Sequence, residues 1–381
     1  MRVAVVLGGY GTFGRLVCAS LSKHADVRLF VAGRNGHAAE ALCRTLGPGV
    51  AEPAVLDCTS PDFATRLASL SPAVVVDAVG PFQARNYSAA RACIEIGSHY
   101  LDLADGREYV AGIASLDEPA RSRDVLVTSG VSTCPALSTA VADEISRDLA
   151  SIESFDVGIA PGHRSPRGLA TTRAVLGYCG KPIPTFSGGQ LASTFGWSGL
   201  KRHAYPHPVG NRWLAQVDLP EMALWPRRYP SMRRLTAQAS LEIPVLHLGL
   251  ALLSRLVRAG VIPSLEPHAA TMLRVSNWFE PFGRPVGAMH VRVVGRTNAS
   301  RTIQRTWSIV AERGDGPQIP AMPAAALAKK LLGVSGYASV GARGAMPCMG
   351  LLSLAEILAE LSGFAIRVEM AEVLDDGADS G

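Results

Sequence analysis

Val3-Ala4-Val5-Val6-Leu7-Gly8-Gly9-Tyr10-Gly11-Thr12-Phe13-Gly14 opens the chain with an apolar run of strand type that meets glycines spaced Gly9-x-Gly11-x-x-Gly14. A helical pattern follows, through Leu21. Strand, glycine turn and helix in that order are what a dinucleotide pyrophosphate needs. The glycines let the backbone turn tightly and approach the phosphates, and the helix N-terminus offers unpaired N–H groups at the positive end of its dipole. Glycine-rich turns also arise from packing alone, so the weight lies in the position directly after a buried N-terminal strand.

Outward from this stretch, strand and helix signals alternate without a break over the first 130 residues. Apolar β-type runs occur at 3–7, 27–32, 54–56, 73–78, 99–103 and 125–128, separated by helical patterns at 12–21, 37–46, 61–70, 87–96 and 109–121. Six such strands joined by crossovers predict an α/β fold: a doubly wound parallel Rossmann sheet, covered on both faces. Near Gly130–Pro135 the rhythm changes, and Pro135 at a first helical position predicts a helix to about residue 149. A strand at 155–159, a helix at 166–178 and a Pro/Gly-rich irregular region to about 230 come next. Alternating strands at 289–294 and 302–311 flank a hairpin loop at 295–300.

This section reads as a second α+β domain containing a mixed open sheet. The expected domains are residues 1–134 (dinucleotide-binding), 135–320 (substrate and dimerisation), 321–375 (C-terminal helices packing back on the first domain) and a frayed tail at 376–381.

With 381 residues, two domains of unequal size are expected, and 48% hydrophobic content allows sizeable cores. The net charge of +5 suits anionic small molecules better than nucleic acid. Residues 161–234 carry eleven Lys/Arg against Asp218 and Glu221, interleaved with Trp197, Tyr205, Trp213, Trp225 and Tyr229. A solvated face competes there with a pocket for a carboxylate, phosphate or thioester substrate, and dispersal among prolines argues against nucleic acid. Seven cysteines without a CxxC pair indicate a reducing cytoplasm, and a first strand beginning by Val3 leaves no room for a signal peptide. His163, His203 and His207 lack ligand-spaced neighbours, so no metal is expected. Residues 241–265 are strongly apolar, but their longest charge-free run is shorter than the roughly twenty residues a spanning helix needs. A buried or homodimer-interface helix is expected there, with peripheral membrane contact as the alternative.

The second strand ends Val31-Ala32-Gly33-Arg34-Asn35. An NAD site usually carries Asp or Glu here for the ribose hydroxyls; Gly33 removes the carboxylate and Arg34 adds a guanidinium suited to a 2′-phosphate. NADP (NADPH) is therefore the expected cofactor, held by Gly8, Gly9, Tyr10, Gly11, Thr12, Phe13, Gly14, Arg34 and Asn35. Asp57 and Cys58 close the third strand, beside the adenine or as a cap for the next helix. Gly80, Pro81 and Phe82 turn the chain at the carboxyl edge of the sheet, with Phe82 either walling the nicotinamide pocket or packing in the core. Hydride transfer also needs a proton donor near the ends of strands four to six. Tyr100 and Asp102, on one face of the fifth strand by alternation, are the catalytic candidates, with structural support as the competing role. Cys134 is read as a buried apolar residue.

The stretches Gly8–Gly14, Ala32-Gly33-Arg34-Asn35, Gly80-Pro81-Phe82 and His99-Tyr100-Leu101-Asp102 have the order and spacing of the saccharopine dehydrogenase-like NADP-binding domain. The chain resembles that family, and looser likeness at Gly130–Ser138, 307–320 and from Met346 onward points to its uncharacterised bacterial members. The resemblance implies an NADP-dependent oxidoreductase with a Rossmann domain, an inserted α+β domain and C-terminal helices. Relatives reduce or form C=N bonds, and one is a trans-acting enoyl reductase of lipid synthesis. The expected function is hydride transfer to or from a C=N or C=O small-molecule substrate in an interdomain cleft. The alternatives are an enoyl reductase acting on an anionic, lipid-linked or thioester substrate and a non-catalytic NADP sensor or scaffold.

Overall fold

The structure, a computed structural model, describes residues 2–83, 85–166 and 168–375; the tail expected at 376–381 lies outside them. The described residues form two compact units, one of 2–137 with 317–361 and one of 138–316 with 362–375. The chain thus passes between units three times.

In the first unit, β1 (Arg2–Leu7), β2 (Val27–Gly33), β3 (Ala51–Val55), β4 (Val74–Asp77), β5 (His99–Asp102) and β6 (Leu126–Ser129) are all parallel, in the spatial order β6-β5-β4-β1-β2-β3. This is the dinucleotide-binding strand order, with its reversal between β1 and β4. Every residue of β4 and β6 is buried, as expected of strands covered on both faces.

The helix expected from Pro135 is present: Cys134 before it is extended (φ −125°, ψ 122°), as a residue preceding proline prefers, and the turn from Pro135 continues into the helix Ser138–Ser146. The second unit then lays down β7 (Leu149–Ala160), β8 (Pro182–Ser187), β9 (Gln190–Phe195), β10 (Lys201–Tyr205), β11 (Gly210–Gln216), β12 (Arg234–Ala239), β13 (Gly287–Thr297) and β14 (Thr302–Ala311). Four of these strands and the helix Glu221–Arg228 occupy the region expected to be irregular. Pro182 and Pro184 interrupt the strand signal of β8, yet a strand whose main partner is the neighbouring β9 tolerates them.

The chain next returns to the first unit through the helix Gln318–Leu331, whose buried Ala321, Ala324, Ala325 and Ala328 allow close approach to its neighbours. Lys329 and Lys330 of this helix pair with Glu360 (2.7 Å) and Glu356 (2.5 Å) of the helix Leu354–Glu360. Between them β15 (Gly344–Pro347) adds a seventh parallel strand beside β6. The last strand, β16 (Ile366–Asp375), pairs antiparallel with β14. Residues 362–375, expected with the C-terminal helices on the first domain, belong instead to the second unit, because ten backbone pairings hold them to β14. The second sheet has nine strands, with β12 and β7 parallel and β7, β13, β14 and β16 successively antiparallel, which makes it mixed.

Three of the basic residues at 161–234 are paired locally. Arg212 is buried against Glu242 at 3.0 Å, Lys201 lies 3.7 Å from Asp156, and Arg228 is bonded to Asp143. The helix Pro244–Arg258 buries His247, Leu250, Ala251, Ser254 and Val257, while Val245 and Leu248 on its other side are exposed, as is Leu252. No helix among the described residues is long and apolar enough to cross a membrane.

Candidate active site

The carboxyl end of β1 runs into a turn that only glycine can build. Gly8 has φ +68°, in the left-handed region, and its carbonyl accepts from the Gly11 N–H at 2.8 Å. A Cβ on Gly14 would stand 2.2 Å from the Gly8 carbonyl oxygen, and one on Gly9 would stand 2.9 Å from the Val6 carbonyl oxygen. Both obstacles are backbone and cannot swing away. Helix α1 (Gly14–Leu21) starts at the end of this turn, and Phe13 at its cap position makes no side-chain capping bond. The Arg15 and Leu16 N–H groups already donate to the Gly11 and Phe13 carbonyls (3.1 and 3.0 Å), so the cradle that fits a dinucleotide pyrophosphate is the glycine turn ahead of them, at the positive end of the helix dipole. Gly14→Ala is expected to weaken NADPH binding about 100-fold or more, read by fluorescence titration; retained affinity would mean that the turn is not the phosphate seat.

Tyr10 and Gly33 explain one another. A Cβ on Gly33 would stand 2.5 Å from the Tyr10 ring, and the Tyr10 hydroxyl accepts the Asn35 N–H at 3.0 Å. The side-chain oxygen of Asn35 caps α2 (Gly36–Leu46) by accepting from the Ala38 N–H at 3.1 Å, so Asn35 is occupied locally. Arg34, between them, is exposed. Asp57 accepts from the Thr59 N–H (2.9 Å) and hydroxyl (2.7 Å), and these bonds, helped by the Arg34 charge, hold its carboxyl below the usual range. It caps its own turn; the following helix starts only at Phe63. Cys58 is half-buried and receives Arg85 Nη2 at 3.5 Å.

At the ends of β4, β5 and β6 lies a buried polar cluster. Asp77, fully buried, pairs with Arg85 Nη1 at 2.9 Å and accepts from the Val79 N–H (2.9 Å) and the Tyr100 hydroxyl (3.1 Å). Burial pushes the Asp77 carboxyl up and the Arg85 charge works against that shift. The Tyr100 and Tyr109 hydroxyls lie 3.5 Å apart, and burial raises both phenols. Gly80 and Pro81 are exposed in the turn after β4, whereas Phe82 is buried against Tyr109 (ring centroids 5.4 Å) with the Arg85 guanidinium over its ring. Core packing claims Phe82.

Asp102 is also wholly buried. Its Oδ1 accepts from the Ser129 hydroxyl (2.8 Å) and the N–H groups of Gly130 (2.9 Å) and Ala104 (3.0 Å), while Oδ2 has no partner among the described residues. Burial pushes this carboxyl up to about 7 against the pull of those bonds. Tyr100 and Asp102 are thus brought into one cluster, but as buried anchors. Arg85 and Tyr109, which complete the cluster, carried no signal in the sequence beyond their type. Among the described residues no group of three His, Cys, Asp or Glu side chains is arranged to hold a metal ion.

Residues 4–129 match the family described as the saccharopine dehydrogenase NADP binding domain. The first unit thus carries a saccharopine dehydrogenase-like NADP-binding domain. Among solved structures it is similar to apo saccharopine dehydrogenase (L-Glu forming) from Saccharomyces cerevisiae, with a TM-score of 0.68 and 13% identity over 97% of this chain and 100% of that one. It is also similar to the homospermidine synthase of Legionella pneumophila in complex with NAD, with a TM-score of 0.62 and 11% identity over 98% of this chain and 91% of the other. At these identities the likeness is one of fold. No curated protein matches the chain by sequence. The saccharopine dehydrogenase-like frame assigns a nicotinamide dinucleotide as the cofactor class of the first unit.

Proposed function

We propose that this protein is an NADPH-dependent oxidoreductase acting on a C=N or C=O small-molecule substrate. One observation carries the cofactor choice: the end of β2 has no carboxylate where Tyr10 covers Gly33, and the exposed Arg34 guanidinium follows it. A guanidinium offers a 2′-phosphate paired, charge-assisted bonds that a ribose hydroxyl cannot match. Gly8, Gly9, Gly11 and Gly14, with the backbone of Tyr10, Thr12 and Phe13, would hold the pyrophosphate. Asp57 and Cys58 would border the adenine, and Gly80 and Pro81 the nicotinamide end. The bound nicotinamide supplies or accepts the hydride. Tyr100 and Asp102 act as positioning residues: Tyr100 steadies Asp77 under the turn at Val79–Phe82, and Asp102 ties the ends of β5 and β6 together.

Arg34→Ala is expected to weaken NADPH binding about 10- to 100-fold while changing NADH binding less than about threefold. Equal loss of both would remove the 2′-phosphate assignment. Substrate-dependent NADPH oxidation in a screen of imines and keto acids tests the activity itself. A second reading, reduction of a lipid-linked enoyl substrate, draws support from exposed Val245, Leu248 and Leu252 on the helix Pro244–Arg258. Turnover of enoyl thioesters in the same screen would favour it, and cofactor binding without any turnover would favour a sensing role.

A further inference from the structure

The second unit contains a cavity of about 360 Å³ between the loop after β9 and the helix Pro244–Arg258. Its size falls in the range of small-molecule sites, roughly 300–1,000 Å³. Phe195, Trp197 and Ala251 supply apolar wall, Ser254 a buried hydroxyl beside the Cys179 thiol, and Arg255 and Arg258 two guanidinium groups. Both arginines are exposed, and neither pairs with a carboxylate among the described residues. The Arg258 guanidinium instead lies 4.0 Å from the centroid of the Phe195 ring, where charge and aromatic wall meet.

The wall is held in place at some cost. Trp197 has φ +59°, a left-handed backbone that bulky residues avoid, yet it is buried and bonded at both ends. Its N–H donates to the Gln216 carbonyl at 2.7 Å and its indole N–H to the His247 carbonyl at 3.2 Å. Gly180 brings the neighbouring loop against the helix, since a Cβ there would stand 2.3 Å from the Ser254 carbonyl oxygen. A space walled in part by apolar side chains, with two guanidinium groups one helical turn apart that meet no carboxylate among the described residues, matches a molecule with one anionic head and an apolar body.

We infer that this cavity is a binding site for an amphipathic anion, a carboxylate or phosphate carried on a hydrocarbon chain. It lies wholly in the second unit and does not depend on the cofactor reading. Calorimetric titration of the full-length protein with dodecanoate and with dodecyl phosphate, each below its micellar concentration, tests it and distinguishes the two heads. The expected result is saturable one-to-one binding of at least one of them, weakened about tenfold or more in Arg255→Gln/Arg258→Gln and in Ala251→Phe. Dodecyltrimethylammonium should not compete. NADPH titration of the same variants reports on integrity of the first unit, and circular dichroism reports that the second is folded. Absence of saturable binding for both anions, unchanged affinity in the folded double variant, or equal competition by the cationic amphiphile would overturn the inference.

Discussion

Replacing Arg85 with methionine is expected to cost about 3–5 kcal/mol of stability at pH 7, because it strands a buried carboxylate. Asp77 is wholly buried at the end of β4, and Arg85 is the one cation within bonding distance among the described residues, at 2.9 Å. The bonds from the Val79 N–H and the Tyr100 hydroxyl would remain, but neither neutralises the charge. Asp77 would then fold protonated, so the loss should be smaller at low pH, where the unfolded chain binds the proton too. Arg85→Met/Asp77→Asn removes both charges and should recover most of the loss. Urea unfolding of the two single variants, the double variant and the parent checks the cycle. An Arg85→Met protein as stable as the parent would show that the pair contributes nothing.

Asp102, by contrast, costs stability, and that cost grows as pH rises. Its folded carboxyl titrates near 7 against an ordinary value of 3.8, chiefly because burial disfavours the charge. Between those values the unfolded chain has released the proton and the native chain still holds it. Stability attributable to this group therefore falls as pH rises from about 4 to 7, with the penalty absent below that window and complete above it. Asn at this position cannot titrate. The stability of Asp102→Asn relative to the parent should improve by about 3 kcal/mol between pH 4.5 and pH 7.5. A difference that stays constant across that range would mean that Asp102 ionises normally.

The first unit was largely legible because its strands are apolar throughout and its glycines are forced. Gly8 and Gly14 have backbone obstacles that no side chain could pass, so their spacing carries geometric content. The second unit was legible only where strands are long. Strands β13 and β14, at eleven and ten residues, are long enough for part of a two-residue period to show, but Pro182 and Pro184 hide β8, and the four residues of β15 are too few to show a period. Within the site, alternation grouped Tyr100 with Asp102, but not their complete burial. Nor does composition tell that Tyr10 fills the space above Gly33, or that Arg85 turns inward to Asp77 from eight residues away.

The order in which the chain supplies its two units bears on how it is made. A ribosome releases β1 to β6 early, yet the helix Gln318–Leu331 and β15 that complete this unit arrive only after all of β7 to β14. The larger sheet waits longer still, since β16 covers the open flank of β14 and is the last strand to emerge. Neither half can close during synthesis until β15, for the first unit, and β16, for the second, have emerged. The nascent chain must carry unpaired strand flanks for most of its elongation, the interval in which aggregation competes with folding.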